Sequence, residues 1–162
     1  MKTMKYILMA FLPLMALSCQ DEWDEHYGQT NPMASQESLS NFVRLVENVG
    51  YEYYFDGDRM FTLFVPTNDC LTEADVDSLT EVYNAQKSNR IKNNDNTVIK
   101  QVLQNHMAMY NYAAIASGDS VQMMMLNGKY SYLADGGVNG VKYLSSNMLY
   151  RNGVLFTVGS RL

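Results

Sequence analysis

The stretch Phe61 to Asp69, FTLFVPTND, constrains this chain more than any other. Phe61, Thr62, Leu63, Phe64 and Val65 favour extended backbone and are nearly continuous in hydrophobicity, the pattern of a strand covered on both faces. Pro66 has no amide hydrogen and ends the ladder. Thr67, Asn68 and Asp69 then offer short side-chain oxygens to the unpaired amides of a helix start. The polar knot therefore reads as scaffold, a strand handed by proline to a capped helical turn, rather than as a reactive site.

Elements can be placed on either side of this joint. Phe42, Leu45, Val46 and Val49 form the stripe of an amphipathic helix, with Ser38 or Ser40 to cap its start and Gly50 at its left-handed end. An aromatic connection follows, Tyr51 to Met60, with a turn at Asp56 and Gly57. Val76, Leu79, Val82 and Tyr83 predict a second helix from Asp75 to Ala85, and the polar residues 86–96 read as an exposed loop. Thr97 opens a third helix with Ile99, Val102, Leu103 and His106 on one face. Asn127-Gly128, Asn139-Gly140 and Asn152-Gly153 then mark three hairpins between apolar runs. Helices first and strands later describe an α+β domain with a largely antiparallel sheet.

The N-terminal end reads as an address. Lys2 and Lys5 precede a short apolar run, too short to cross a bilayer, that ends at Leu17-Ser18-Cys19. This resembles the lipobox of bacterial lipoproteins, which implies a signal peptide over residues 1–18 and acylation of Cys19. Residues 19–36 are poor in aliphatic side chains and read as an acidic flexible tether. Asp21, Glu22, Asp24 and Glu25 within it resemble the export signal of Bacteroidetes-type surface lipoproteins. The resemblance implies a protein anchored to the outer membrane and facing the cell exterior.

Loss of residues 1–18 removes two of the twelve basic residues and none of the seventeen acidic ones, leaving a net charge of −7. That balance argues against nucleic acid and against adhesion to anionic membrane by charge alone. The remaining residues 37–162 suffice for one domain with one core. With Cys19 acylated, Cys70 has no partner for a disulfide.

Thr62, Phe64, Pro66, Thr67, Asn68 and Asp69, followed by the small Cys70, resemble the first signature of the fasciclin domain, Thr-x-Phe-x-Pro-Thr-Asn-Asp-Ala. Leu103 to His106 is similar to the helix carrying that family's Tyr-His pair, and Asn152-Gly153-Val154 to its closing Asn-Gly-Val signature. Asn105 replaces the usual tyrosine, and Phe156 and Gly159 stand where histidine and aspartate are often found. The Asp-Ile motif linked to integrin binding in animal members is absent, so that activity is not carried over. The resemblance implies a fasciclin-like antiparallel β-sandwich or wedge with several helices packed on it, and an adhesion or protein-interaction role.

The inventory for chemistry is thin. His106 as base to a Cys70 nucleophile is conceivable, but the sequence supplies neither an oxyanion hole nor an orienting third group. The expectation is that His106 satisfies a buried main-chain or Asp69-type oxygen, that Cys70 is a small buried hydrophobe, and that the chain is not an enzyme. His26 falls in the tether. Neither a metal nor a cofactor is expected, since Asp56, Asp58, Asp75 and Asp77 lack ligand spacing.

Tyrosine is abundant, with twelve in the chain. Tyr51, Tyr53, Tyr54 and Phe55 form the candidate interaction surface for a protein or glycan, because a phenol ring offers a flat apolar face and a polar tip. Tyr130 and Tyr132 are expected to pack the sheet, and Met123, Met124 and Met125 to fill the core. Two functions follow. One is a non-enzymatic surface lipoprotein acting in adhesion or protein interaction; the other is an accessory glycan-binding lipoprotein of an outer-membrane uptake system.

Overall fold

The computed structural model describes residues 33, 36–55, 59–112, 118–150 and 153–162. Residues 1–32, and with them the signal peptide, Cys19 and most of the tether, lie outside the described residues, as do Asp56, Gly57, Asp58 and Asn152. Strands β1 (Phe61–Pro66), β2 (Met107–Met109), β3 (Ser120–Met124), β4 (Tyr130–Ala134), β5 (Gly137–Val138), β6 (Val141–Tyr150) and β7 (Gly153–Val158) form one sheet in the order β2-β1-β7-β6-β5-β4-β3. All pairings are antiparallel except β1 with β7, which run parallel with Phe64 opposite Phe156. The two end strands meet at one corner, where Ala108 bridges Met125 and the Leu126 N–H donates to the Met107 carbonyl at 2.7 Å.

Every residue of β1 and β7 is buried, as the unbroken hydrophobicity of β1 predicts. Alternate side chains serve two cores. Phe61, Leu63, Val65 and Leu155 face a helical layer containing Leu45, Val46, Ile99 and Leu103. Phe64, Val154, Phe156 and Val158 turn the other way, onto Met123, Met125, Leu133 and Val138. Phe64 stacks on Phe156 there with centroids 5.3 Å apart, and Tyr143 lies tilted against Phe156 at 4.7 Å. Each phenylalanine buried in this way contributes about 2 kcal/mol.

Helix α1 (Ser40–Asn48) buries Phe42, Leu45 and Val46 as its spacing requires. It closes on Gly50 at φ +66°, with Gly50 N–H bonded to the Glu47 carbonyl and Tyr51 N–H to the Val46 carbonyl, a Schellman end. Helix α2 runs from Glu73 to Ser88, longer at both ends than the stripe alone predicts. Its start is set by a capping box: Asp75 N–H donates to Thr72 Oγ1 at 3.2 Å and Thr72 N–H to the Asp75 carboxylate at 2.9 Å. The Thr72 hydroxyl, which donates to the Asp75 carboxylate at 2.7 Å, and with it the Thr72 N–H hold the Asp75 carboxyl below its ordinary range. Val82, expected on the buried stripe, is exposed, while Val76 and Tyr83 are buried.

The expected loop 86–96 is structured in part. Residues 86–88 belong to α2, Asn93–Asp95 form a 3-10 turn, and buried Asn96 accepts the Val98 N–H at 3.0 Å. The third helix is irregular, a π turn over Val98–Leu103 followed by a 3-10 turn over Gln104–His106, yet Ile99, Leu103 and His106 are buried on its inner side as predicted.

The three Asn-Gly pairs differ. Asn139 and Gly140 both have positive φ, 50° and 80°, the turn expected between β5 and β6. At Asn127-Gly128 only the glycine does, because Asn127 instead uses its side chain, accepting the Lys129 N–H and donating to the Lys100 carbonyl. Gly153 lies inside β7 opposite Tyr150, and is required by proximity rather than by turn geometry. A β carbon there would collide with the Phe61 carbonyl oxygen and stand 2.7 Å from the Tyr150 hydroxyl.

Candidate functional site

The residues after Pro66 pack against the N-terminal end of α1, and Asn68 makes the junction. Its Oδ1 accepts the Asn41 N–H at 3.0 Å, and its Nδ2 donates to the Glu37 carbonyl at 2.9 Å and to Ser40 Oγ at 3.0 Å. Its own N–H donates to the Ser38 carbonyl at 2.8 Å, and Asn41 Nδ2 returns a bond to the Leu71 carbonyl at 2.8 Å. Leu39, at the N-cap position of α1, supplies no side-chain cap, so Asn68 provides one from 27 residues along the chain.

This corrects two expectations. Neither Ser38 nor Ser40 caps α1, and the knot does not cap the helix that follows it, a task taken by Thr72. Thr67 contributes its main-chain carbonyl, which accepts from Cys70 and Leu71, and Asp69 is exposed. Upstream, the buried Thr62 hydroxyl donates to the Tyr110 carbonyl at 3.0 Å and accepts the Tyr112 N–H at 2.8 Å, fixing the chain as it leaves β2.

His106 is buried with both ring nitrogens engaged. Nδ1 lies 2.7 Å from the Val102 carbonyl, which can only accept, and Nε2 accepts the Leu162 N–H at 3.1 Å. The partners assign the proton to Nδ1 and leave a neutral ring. Burial pushes its pKa down to about 4, opposed by the Val102 carbonyl and reinforced by the charge of Arg161. The predicted main-chain partner is thus found, whereas Asp69 plays no part.

Cys70 is half-buried rather than buried; its thiol donates to the Gly159 carbonyl at 2.9 Å and receives the Thr67 hydroxyl at 3.8 Å. With the imidazole already spent on Val102 and Leu162, it has no nitrogen to offer a nucleophile. Among the described residues no group of three His, Cys, Asp or Glu side chains could hold a metal ion, and no helix is long and apolar enough to cross a membrane.

The aromatic residues are distributed otherwise than expected. Tyr51 and Phe55 are buried and cannot serve an interaction surface, while Tyr53 is 64% exposed and Tyr54 partly so. Tyr51, Tyr53 and Tyr54 form one cluster, with centroids 4.3 Å apart for Tyr51 and Tyr54 and 4.2 Å for Tyr53 and Tyr54. The Tyr51 hydroxyl receives Gln104 Nε2 at 3.0 Å, and burial raises its pKa. The cluster braces the connection onto the core.

Conversely, Tyr130 and Tyr132 do not pack the sheet. They are 63% and 56% exposed, and β4 buries Ser131 and Leu133 instead. Met123 and Met125 are in the core, but Met124 is exposed. The alternation within β3 and β4 showed that one face is covered and the other meets water, but not which of the two the tyrosines occupy.

Comparison with known proteins agrees with this architecture. The family model described as Fasciclin domain matches residues 37–162. Among solved structures, a fasciclin domain pair from the insect cell adhesion molecule fasciclin I is similar at 15% identity with a TM-score of 0.51, over 80% of this chain and 48% of that one. The chain therefore spans about half of that structure, and the likeness is one of fold. The search of curated proteins returns no match.

Proposed function

The chain belongs to the fasciclin domain family, and from that premise we propose that it is a non-enzymatic module displayed on a cell surface, where it mediates adhesion or contact with another macromolecule. The observation that carries this reading is the state of the signature residues. Asn68 spends its amide on the start of α1, Thr62 spends its hydroxyl on the exit of β2, and His106 spends both nitrogens on main chain. A site for covalent or acid-base chemistry needs such groups within reach of a substrate. Here the polar side chains of the signature hold the fold together, and the work of the protein falls to its outer surface.

Display rests on the N-terminal sequence: the basic and apolar segment ending at Leu17-Ser18-Cys19 and the acidic residues beyond it. In this reading Cys19 carries the lipid, the segment after it spaces the domain from the outer membrane, and the domain faces the exterior. Palmitate labelling of cells expressing the full chain tests the anchor: the label is expected on the wild type and lost in Cys19→Ala, and a label that persists in the variant refutes it. Cell-to-cell or cell-to-substratum adhesion dependent on the displayed chain tests the function. Equal adhesion with and without the chain refutes that.

An accessory role in glycan uptake was expected to use Tyr51 to Phe55 as its platform. Tyr51 and Phe55 are buried, so a glycan would need another surface.

A further inference from the structure

We propose that the outer face of the β3–β4 hairpin is a carbohydrate platform, and that the ligand of this surface is a short stretch of neutral glycan. The inference rests on the adhesive reading above and names the chemistry that would carry it.

Register fixes the composition of this face. Ser120 stands opposite Ala134, Gln122 opposite Tyr132 and Met124 opposite Tyr130, and directly paired residues project to the same side. All six are exposed, while the intervening Met123, Ser131 and Leu133 are buried. None of the six is charged, in a chain whose formal net charge is −5. The charged residues of the hairpin, Asp119, Lys129 and Asp135, sit beyond the strand ends. The same face continues along the row Ala134, Gly137 and exposed Lys142, so a charged ligand of either sign would meet two lysines and two carboxylates, and charge favours a ligand that carries none.

Chemistry narrows it further. Tyr130 and Tyr132 lie two residues apart on one strand, about 7 Å, and present two apolar ring faces with hydroxyl tips. Gln122 Nε2 donates to the Tyr132 hydroxyl at 3.2 Å, which turns that hydroxyl's own proton outward and leaves the amide oxygen of Gln122 to accept. Flat apolar surface bordered by hydroxyl and amide groups matches a sugar, whose ring has an apolar C–H face and a rim of hydroxyls.

The platform is also held in place. Asn139 Oδ1 accepts the Tyr132 N–H at 2.8 Å and its Nδ2 donates to Ser131 Oγ at 3.0 Å, so the next turn pins the strand between the two tyrosines. A ligand binding to a preformed surface loses less free energy to ordering.

Size separates a glycan from a protein partner. Four residue steps of an extended strand span about 14 Å, and two strands about 5 Å apart make a facet far smaller than the roughly 800 Å² per partner of a stable protein interface. Two or three sugar units fill it; a second copy of the chain does not.

The full chain, anchored in vesicles, is tested on an array of neutral oligosaccharides of two to six units, beside Tyr130→Ala/Tyr132→Ala and, as a control, Tyr53→Ala. The expected result is binding by the wild type and Tyr53→Ala that falls at least tenfold in the double variant, with unchanged thermal unfolding because both tyrosines are exposed. A blank array, or binding that survives the double substitution, overturns the inference. So does capture of a protein partner that depends on Tyr130 and Tyr132 while the array stays blank. In any of these cases adhesion of cells displaying the chain leaves the adhesive reading standing, and its absence removes that reading too.

Discussion

The imidazole Nε2 of His106 receives the main-chain N–H of Leu162 at 3.1 Å, so a buried side chain ties down the residues that follow β7. The bond requires a neutral ring. Unfolded, His106 takes up a proton near its ordinary value of 6.5; folded, it resists protonation down to about 4. Between these values the unfolded chain binds more protons, so this contribution is complete above pH 6.5, declines as pH falls towards 4, and levels below that. The span corresponds to about 3 kcal/mol. Urea unfolding of the wild type and His106→Gln across pH 4 to 8 checks it: the wild type should show the steeper loss of stability on acidification, and parallel curves would exclude the assignment.

Asn68→Ala removes the acceptor for the Asn41 N–H and the donor to the Glu37 carbonyl and Ser40 hydroxyl together. The expected cost is about 2 to 3 kcal/mol, that of a lost cap plus an orphaned carbonyl. Asn68→Asp keeps the acceptor at the α1 start and should lose less. Denaturant midpoints rank the three proteins, and equal loss in both variants would show that the acceptor is not what matters.

Gly153→Ala drives a methyl group into the Phe61 carbonyl and the Tyr150 hydroxyl, where β7 pairs with the first residue of β1. A loss of 3 kcal/mol or more is expected, since the obstacle is main chain. Gly128→Ala meets nothing within 4 Å and suffers only from φ +81°, about 1 kcal/mol. Thermal unfolding of the pair separates steric exclusion from conformational preference.

Thr72→Ala opens the capping box of α2 and should cost about 1 kcal/mol. The loss should be local, appearing as faster amide exchange over the first turn of α2 with exchange in β1 little changed. Uniform acceleration throughout the domain would contradict it.

What the sequence disclosed depended on how local the cause was. The stripe of Phe42, Leu45 and Val46, the Gly50 end of α1, the doubly covered β1 and the Asn139-Gly140 turn all follow from residues within one element, and each stands where its pattern placed it. The target of Asn68 was hidden because its partners, Glu37, Ser40 and Asn41, come from an earlier helix that only the fold brings alongside. The same limit governed the tyrosines. Period-two spacing puts Tyr130 and Tyr132 on one face without saying which face the molecule covers, and Tyr51 and Phe55 are buried by packing against distant elements. His106 was legible as a core residue from its helical stripe, but its bond to Leu162 joins positions 56 residues apart.

The parallel pairing of β1 with β7 has a consequence for how the molecule comes into being. The two strands lie about ninety residues apart in sequence yet sit side by side in the interior of the sheet, so β1 cannot be covered on that side before the ribosome has delivered β7. A nascent polypeptide of this kind holds β1 without its parallel partner until β7 has been made.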